Sequence, residues 1–468
     1  MSIRRRRIVV AVVAERARRH KRAVAALGTL TAAGALAVVA FGAPPEPGQP
    51  TEVLKWNQIA MSTLLGPPIG TMPGPAGGAP PAASIHLGMT QGAVYDAVNA
   101  TEPKHYRPYL LKRRFSARAS KNAAVATAAY EVLSSIVRGV PSTIAFPNRQ
   151  ALLDSLASAY DDSLDDVGDS PFKTQGIAAG HAAAQAMIAA REGDGRYGPS
   201  PWTGDPAATP PVGHWSPRLP NGTIALDPTP WVGGVKPFLL ESSSQFRTAG
   251  PPALTSAAYA ADFNEVKTLG GDGVTTSTTR TPAQTHVALF WTGAGGPFWN
   301  VTALDVIDDH SIDLADGARL LAMMNLAAAD AAIDCWNDKY HFDFWRPWNA
   351  IPRAGEDGNP ATVAQAGWTA LRTAPYPEHP SGHMCLDGAH LGAMQSFFGT
   401  DEMELDAASF VTADTTHFDR LSDALDEIED ARVWTGLHFR TADEQGRLLG
   451  ENVAGYMADH YFQPVGRR

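Results

Sequence analysis

Residues 313–347 read DLADGARLLAMMNLAAADAAIDCWNDKYHFDFWRP. The pattern of apolar residues predicts a helix over Asp313–Tyr340, and the FWRP end stops it at Pro347, which cannot continue the hydrogen-bond ladder. Lys339 and Arg346 stand seven residues apart, two helical turns, so on a continuous helix they project from one face. Both cations are then free to point at one spot.

Two further clusters lie downstream, HPSGH at 379–383 and ARVWTGLH at 431–438. In the first, Pro380 stiffens the approach and Gly382 lets backbone come close to an anion, while the apolar-periodic run His383–Phe398 predicts a helix starting there. His383, at that helix start, is placed to exchange protons with a bound oxygen. In the second, His438 follows Arg432 by six residues, with Gly436 between, and offers a ring nitrogen as nucleophile or apical ligand. Lys339, Arg346 and Arg432, the Ser381 hydroxyl, the Gly382 amide and two imidazoles form an inventory suited to a tetrahedral or trigonal-bipyramidal oxyanion. Any one of these residues alone is more often a solvated or satisfied side chain; their joint occurrence is what carries the reading.

The order Lys-x6-Arg-Pro, Pro-Ser-Gly-His, Arg-x5-His resembles the type 2 phosphatidic acid phosphatase superfamily. The flanks are most similar to its vanadium-dependent haloperoxidase branch: AVYDAVNA (93–100), QFRTAGPPALTSAAYAADFNEVK (245–267), RTPAQTHVALFW (280–291) and DCWNDKYHFDFWRP (334–347). The resemblance covers most of the chain from about residue 52. It implies that Lys339, Arg346, Arg432, Ser381 and Gly382 hold the equatorial oxygens of vanadate, that His438 is the apical vanadium ligand, and that His383 is the acid–base residue. The implied reaction oxidises a halide with hydrogen peroxide to a hypohalous-acid-type species that halogenates an organic acceptor. In the phosphatase branch the same positions hold a phosphoryl group with no vanadium, His438 being the nucleophile and His383 the general acid. The third motif departs from many relatives, with Ala431 before Arg432, Ala442 four residues after His438 and Asp443 one later. If a carboxylate orients His438, it has to come from elsewhere. Trp336 and Tyr376 stand at positions linked to halide preference in relatives.

Net charge of −10 argues against a nucleic-acid binder, since phosphate-backbone affinity rests on basic surface. Cys335 and Cys385 are too few for a disulfide framework, and two buried thiols are favoured over one bond. The pairs His341/Asp343 and His417/Asp419 lack the third ligand of a metal site. At the N-terminus, basic residues crowd Arg4–Arg22 and an apolar Ala23–Ala43 follows, then PPEPGQP. That order predicts export, with residues 1–43 a signal peptide or an uncleaved anchor, the one expected membrane contact. No other stretch is long and apolar enough to span a bilayer.

Residues 44–80 read as a Pro/Gly-rich linker. Helices are predicted at Ser84–Ala100, Asn122–Val137, Arg149–Val167 and Thr174–Arg191, giving a helical bundle over 81–192. Residues 193–252, rich in Pro, Gly and Trp, cannot hold a helix and form an irregular crossover, either a wall of the substrate channel or a plain connection. The part 253–468 carries the oxyanion site. Its predicted helices are Ser256–Leu269, Thr281–Trp291, Asn300–Asp308, Asp313–Tyr340, Val363–Thr373, His383–Phe398, Asp401–Thr412 and Arg420–Phe439, the last continuing to Phe462. The fold class is all-α, a large helical domain of two packed bundles. Three functions stay open: a vanadium haloperoxidase, a soluble acid phosphatase acting on phosphomonoesters, and a non-catalytic oxyanion binder. The expected partners are hydrogen peroxide, halide and an organic acceptor, with a homo-oligomer left open.

Overall fold

The computed structural model describes residues 51–66, 79–102, 106–144, 146 and 148–465. The export segment predicted over 1–43 lies outside the described residues. Helices dominate: α1 (Thr51–Leu65), α2 (Pro80–Asn99), α3 (Lys121–Gly139), α4 (Arg149–Asp165), α5 (Pro171–Ala190), α6 (Ala257–Leu269), α7 (Pro282–Phe290), α8 (Trp299–Asp309), α9 (Leu314–Phe342), the short α10 (Pro347–Ala350), α11 (Gly382–Phe398), α12 (Leu421–Trp434) and α13 (Arg440–His460). The described residues from Thr51 to Val465 form one compact unit, and no described helix is long and apolar enough to cross a membrane.

The α9 helix is the axis. Asp313 caps it by accepting from Ala315 N and Asp316 N, each at 2.9 Å. Its buried stripes pack on α2 from the N-terminal half and on α11 and α13 from the C-terminal half, so the two halves share a core through one element. On another face, Asp330, Asp334 and Asp338 recur every four residues and are all fully buried. Asp330 accepts from the amides of Phe238, Leu239 and Leu240 at 2.6–2.8 Å. Asp334 accepts from Phe246 N at 2.8 Å, and Asp338 from Thr248 N and Oγ1, both at 2.8 Å. A helix face of carboxylates thus satisfies the amides of a crossover that has no ladder of its own. The crossover is irregular as expected, with one 3₁₀ turn at Val232–Gly234.

Four expectations are corrected. The stretch read as a linker, 44–80, contains α1, which buries Val53, Trp56, Ala60, Met61 and Leu64 against α2 and α3. Residues 363–373 are turns and a bridge, with Gly367 at φ +72° and Ala370 paired to Gly271. The helix expected over 401–412 is a strand, β1 (Glu402–Ala408), paired antiparallel with β2 (Thr415–Arg420) in the register Leu405↔Phe418. Finally, the predicted 420–462 helix is two helices. Gly436 at φ +74° turns the chain between them, and a Cβ there would meet the Gly270 carbonyl at 2.5 Å.

Candidate active site

The long helix ends before Arg346. Asp343 adopts φ +48° and its amide closes on Lys339 O at 3.0 Å, so the chain leaves the helix in a left-handed cap. Arg346 therefore reaches the site from an extended segment and not from the face that Lys339 occupies, which corrects the seven-residue argument while keeping both cations together. Both are completely buried.

Lys339 Nζ donates to the carbonyls of Pro377 at 3.2 Å, Glu378 at 3.1 Å and Pro380. An ammonium has three protons, so this set fills its donor capacity, and Lys339 clamps the loop before Ser381 instead of presenting donors to an anion. Burial, with Arg346 nearby, lowers its pKa to about 8. Arg346 ties two other segments of chain together: Nε to Tyr376 O at 2.9 Å and Nη2 to Pro377 O at 3.3 Å on one, Nη1 to Leu437 O at 2.7 Å on the other. Its Nη1 also lies 3.2 Å from His438 Nε2.

Arg432 differs from both. It closes α12, is only 4% exposed, and its Nε and Nη1 have no hydrogen-bond partner. A buried guanidinium with two unmet donors is costly unless something anionic completes it. Ser381 Oγ, at the N-cap of α11, is likewise buried without a partner. The first-turn amides from Gly382 onward have no acceptor within the helix and carry its positive dipole end. A Cβ on Gly382 would sit 3.1 Å from the Trp336 indole, so the ring rests directly on that backbone.

His438 is oriented from both sides. Its Nδ1 lies 2.9 Å from Glu378 Oε1, an oxygen that also accepts from Phe439 N at 3.0 Å. Since Arg346 can only donate, Nε2 is the acceptor, and the imidazole proton is assigned to Nδ1. Burial and the charges of Arg346, Lys339, Arg432 and His383 push the pKa well below the ordinary histidine value, so His438 is neutral with its Nε2 lone pair turned into the cations. His383 is also held neutral, by burial first and then by Arg432 and Lys339. The structure thus gathers Lys339, Arg346, Ser381, Gly382, His383, Arg432 and His438 into one buried cluster.

Sequence reasoning missed Glu378, which supplies the orienting carboxylate left unassigned; its place, directly before HPSGH and 60 residues from His438, gave no local signal. Burial raises its pKa to about 8 against the pull of Arg346 and Lys339. Asp443 is fully buried near Ser381 and Arg432, close enough to feel both but without full hydrogen-bond geometry to either. His379 donates or accepts at Thr248 Oγ1, 3.0 Å away, and packs edge-on to Phe342, a wall role. Cys335 and Cys385 are free buried thiols. No group of three His, Cys, Asp or Glu able to hold a metal cation occurs among the described residues.

The donor set fits an oxyanion cofactor: two guanidinium donors and a hydroxyl without partners, helix-start amides, and one nitrogen lone pair facing them. Residues 319–467 match the family model described as the VCPO second helical-bundle domain. The vanadium chloroperoxidase of Curvularia inaequalis is 28% identical over 197 residues, 35% of this chain and 32% of its own length, so the match spans about a third of that relative. A bacterial vanadium-dependent iodoperoxidase structure superposes with a TM-score of 0.69 at 21% identity, covering 91% of this chain and 100% of that one. A holo-type bacterial vanadium-dependent chloroperoxidase gives 0.59 at 18%, covering 81% and 92%. Residues 319–467 thus carry a domain similar to the second helical bundle of the vanadium chloroperoxidases, and the chain shares the helical fold of the solved vanadium-dependent haloperoxidases.

Proposed function

We propose that this protein is a vanadium-dependent haloperoxidase that oxidises a halide with hydrogen peroxide to a hypohalous-acid-type halogenating species. One observation carries it: His438 is neutral, fixed by Glu378, and aims its Nε2 lone pair into a cluster whose Arg432 donors are unmet. Arg432, Ser381 and the Gly382 amide would hold vanadate oxygens, with Lys339 and Arg346 adding positive charge behind them and His438 Nε2, on leaving Arg346, offering a nitrogen ligand. Vanadate bound there supplies Lewis-acid activation of peroxide for oxygen transfer to halide. The protein's own tasks are proton handling and water exclusion. His383, buried beside Arg432 and held neutral, would take a proton from peroxide on a ring nitrogen. Trp336 and Tyr376, ring centroids 5.1 Å apart, cover Lys339 and Arg346 and keep the field of the cations unscreened.

The test is direct. Protein dialysed against orthovanadate should oxidise iodide or bromide with peroxide, while hydrolysis of an aryl phosphate by vanadate-free protein should stay at background. Phosphatase turnover without any halide oxidation would replace this reading with the acid phosphatase one. The basic-then-apolar N-terminus supports export of the protein; fractionation of cells expressing the full chain, with activity remaining entirely in the cytosol, would refute that part.

A further inference from the structure

The irregular crossover builds a second cavity, of about 260 Å³, on the far side of Trp336 from the oxyanion pocket. Its walls include Trp202, Trp215, Leu226, Pro230 and Tyr340, with Asp227 at the base. Trp202 meets Trp215 edge-on, ring centroids 5.3 Å apart. Asp227 has no acceptor capacity to spare: one oxygen takes the Trp336 indole N–H at 2.9 Å and the Tyr340 hydroxyl at 2.8 Å, the other Thr229 N at 2.7 Å and its hydroxyl at 3.2 Å. Trp336 stands between the two, its N–H bonded to the Asp227 floor of the cavity and its ring resting on Gly382.

The lining says what would fit. Ser200 and Thr203 stand beside the rings in the cavity wall, and their hydroxyls suit a neutral oxygen on whatever fills the space. No Lys or Arg lines the cavity, so an anion finds no charge there. Ring walls favour a ring, through edge and offset contacts. The volume lies just under the usual range for ligand pockets, roughly 300–1,000 Å³, which limits the guest to one or two fused rings.

We propose that this cavity binds the organic acceptor as a neutral, oxygen-bearing aromatic of one or two rings, a phenol or naphthol, one indole away from the oxyanion site. The proposal rests on the haloperoxidase reading above. The balanced step is hypohalous acid plus an aryl C–H giving an aryl–halogen bond and water: the ring carbon is oxidised, the halogen is reduced to the halide level, and the ring proton leaves on the water. Held there, an acceptor meets the oxidant before it escapes to solvent.

Binding is tested first, on the full chain without vanadate, by calorimetric titration with 2-naphthol and with cyclohexanol as the non-aromatic control. Saturable 2-naphthol binding is expected, weakened about tenfold in Trp202→Leu and in Trp215→Phe, with cyclohexanol at least as weak as those variants. Trp202 is partly exposed and its ring lies over Gly204, where a Cβ would meet it at 2.5 Å. Gly204→Ala should therefore weaken binding too without touching the core. Equal binding of cyclohexanol, or no effect of any of the three substitutions, overturns the proposal. With vanadate, KM for 2-naphthol should rise about tenfold in Trp202→Leu while triiodide formation from iodide and peroxide, with no organic acceptor, is unchanged. Wild-type protein that binds 2-naphthol but makes no triiodide would sink the haloperoxidase reading and leave the binding site standing.

Discussion

Two opposite pKa shifts meet beside one histidine. Burial lowers Lys339 to about 8 and raises Glu378 to about 8. As pH rises from 7 to 9, Lys339 loses its positive charge and Glu378 gains a negative one, so both steps strip positive charge from the pocket. Oxyanion affinity should fall as pH rises through about 8, and Glu378→Gln, lacking one step, should show a smaller rise in the vanadate dissociation constant between pH 7 and pH 9. The anion's own titration is common to both proteins and cancels in the comparison. Glu378→Ala also frees the His438 tautomer and should weaken vanadate retention by roughly 10- to 100-fold. The two histidines divide differently. His383→Ala should retain vanadium after dialysis yet lose turnover by a factor of about 10² to 10⁴; His438→Ala should fail to retain it. Equal loss of vanadium from both would end that division of roles.

At the scale of elements, two contacts hold the pocket open. The first is the carboxylate face of α9. Asp330→Ala leaves three buried amides of the crossover without acceptors, and each such loss costs about 1–3 kcal/mol. Thermal unfolding should register a drop of several degrees, whereas an exposed acidic residue such as Asp161 changed to Ala should register almost none. The second is the close approach of α11 and α13. Gly446 and Gly450 face α11, where a Cβ on Gly446 would lie 2.7 Å from Ser381 O and one on Gly450 would collide with Cys385 O. Gly446→Ala should cost about 1–3 kcal/mol by overpacking and, because it pushes on Ser381, should also weaken vanadate binding. Unchanged binding in a destabilised variant would mean the strain relaxes elsewhere. Most helices could be read from apolar spacing, and the three site motifs could be read because each is contiguous. What escaped was non-local or outvoted: α1 was absorbed into a Pro/Gly composition despite its Val53, Trp56, Ala60, Leu64 spacing. The strand Glu402–Ala408 was read as helix although Met403, Leu405 and Ala407 alternate inward. The break at Asp343, where a non-glycine takes a left-handed cap, left no mark in the sequence.

The whole molecule carries a net charge of −10 around a pocket built from three fixed cations. On the proposed function, oxyanion binding would rest on local charge, and the site should not distinguish phosphate from vanadate by charge or shape, since both present tetrahedral oxygens to the same Arg432, Ser381 and helix-start donors. Excess phosphate added before vanadate should block the gain of peroxidase activity. Full activation at saturating phosphate would show two separate sites. That the described chain packs as one unit from Thr51 onward also explains why site residues spread over a hundred positions converge: α9 brings Lys339, the loop after residue 376 brings Ser381, and the α12–α13 turn brings His438.

Lys339 gives its three protons to the carbonyls of residues 377, 378 and 380, and this settles when the receptor is made. The frame around the anion is finished by folding itself, so none of the binding free energy is spent on ordering a loop. Loading should leave amide exchange around Ser381 nearly unchanged, and the cofactor should behave as a guest that can be removed and restored many times without wear on its host.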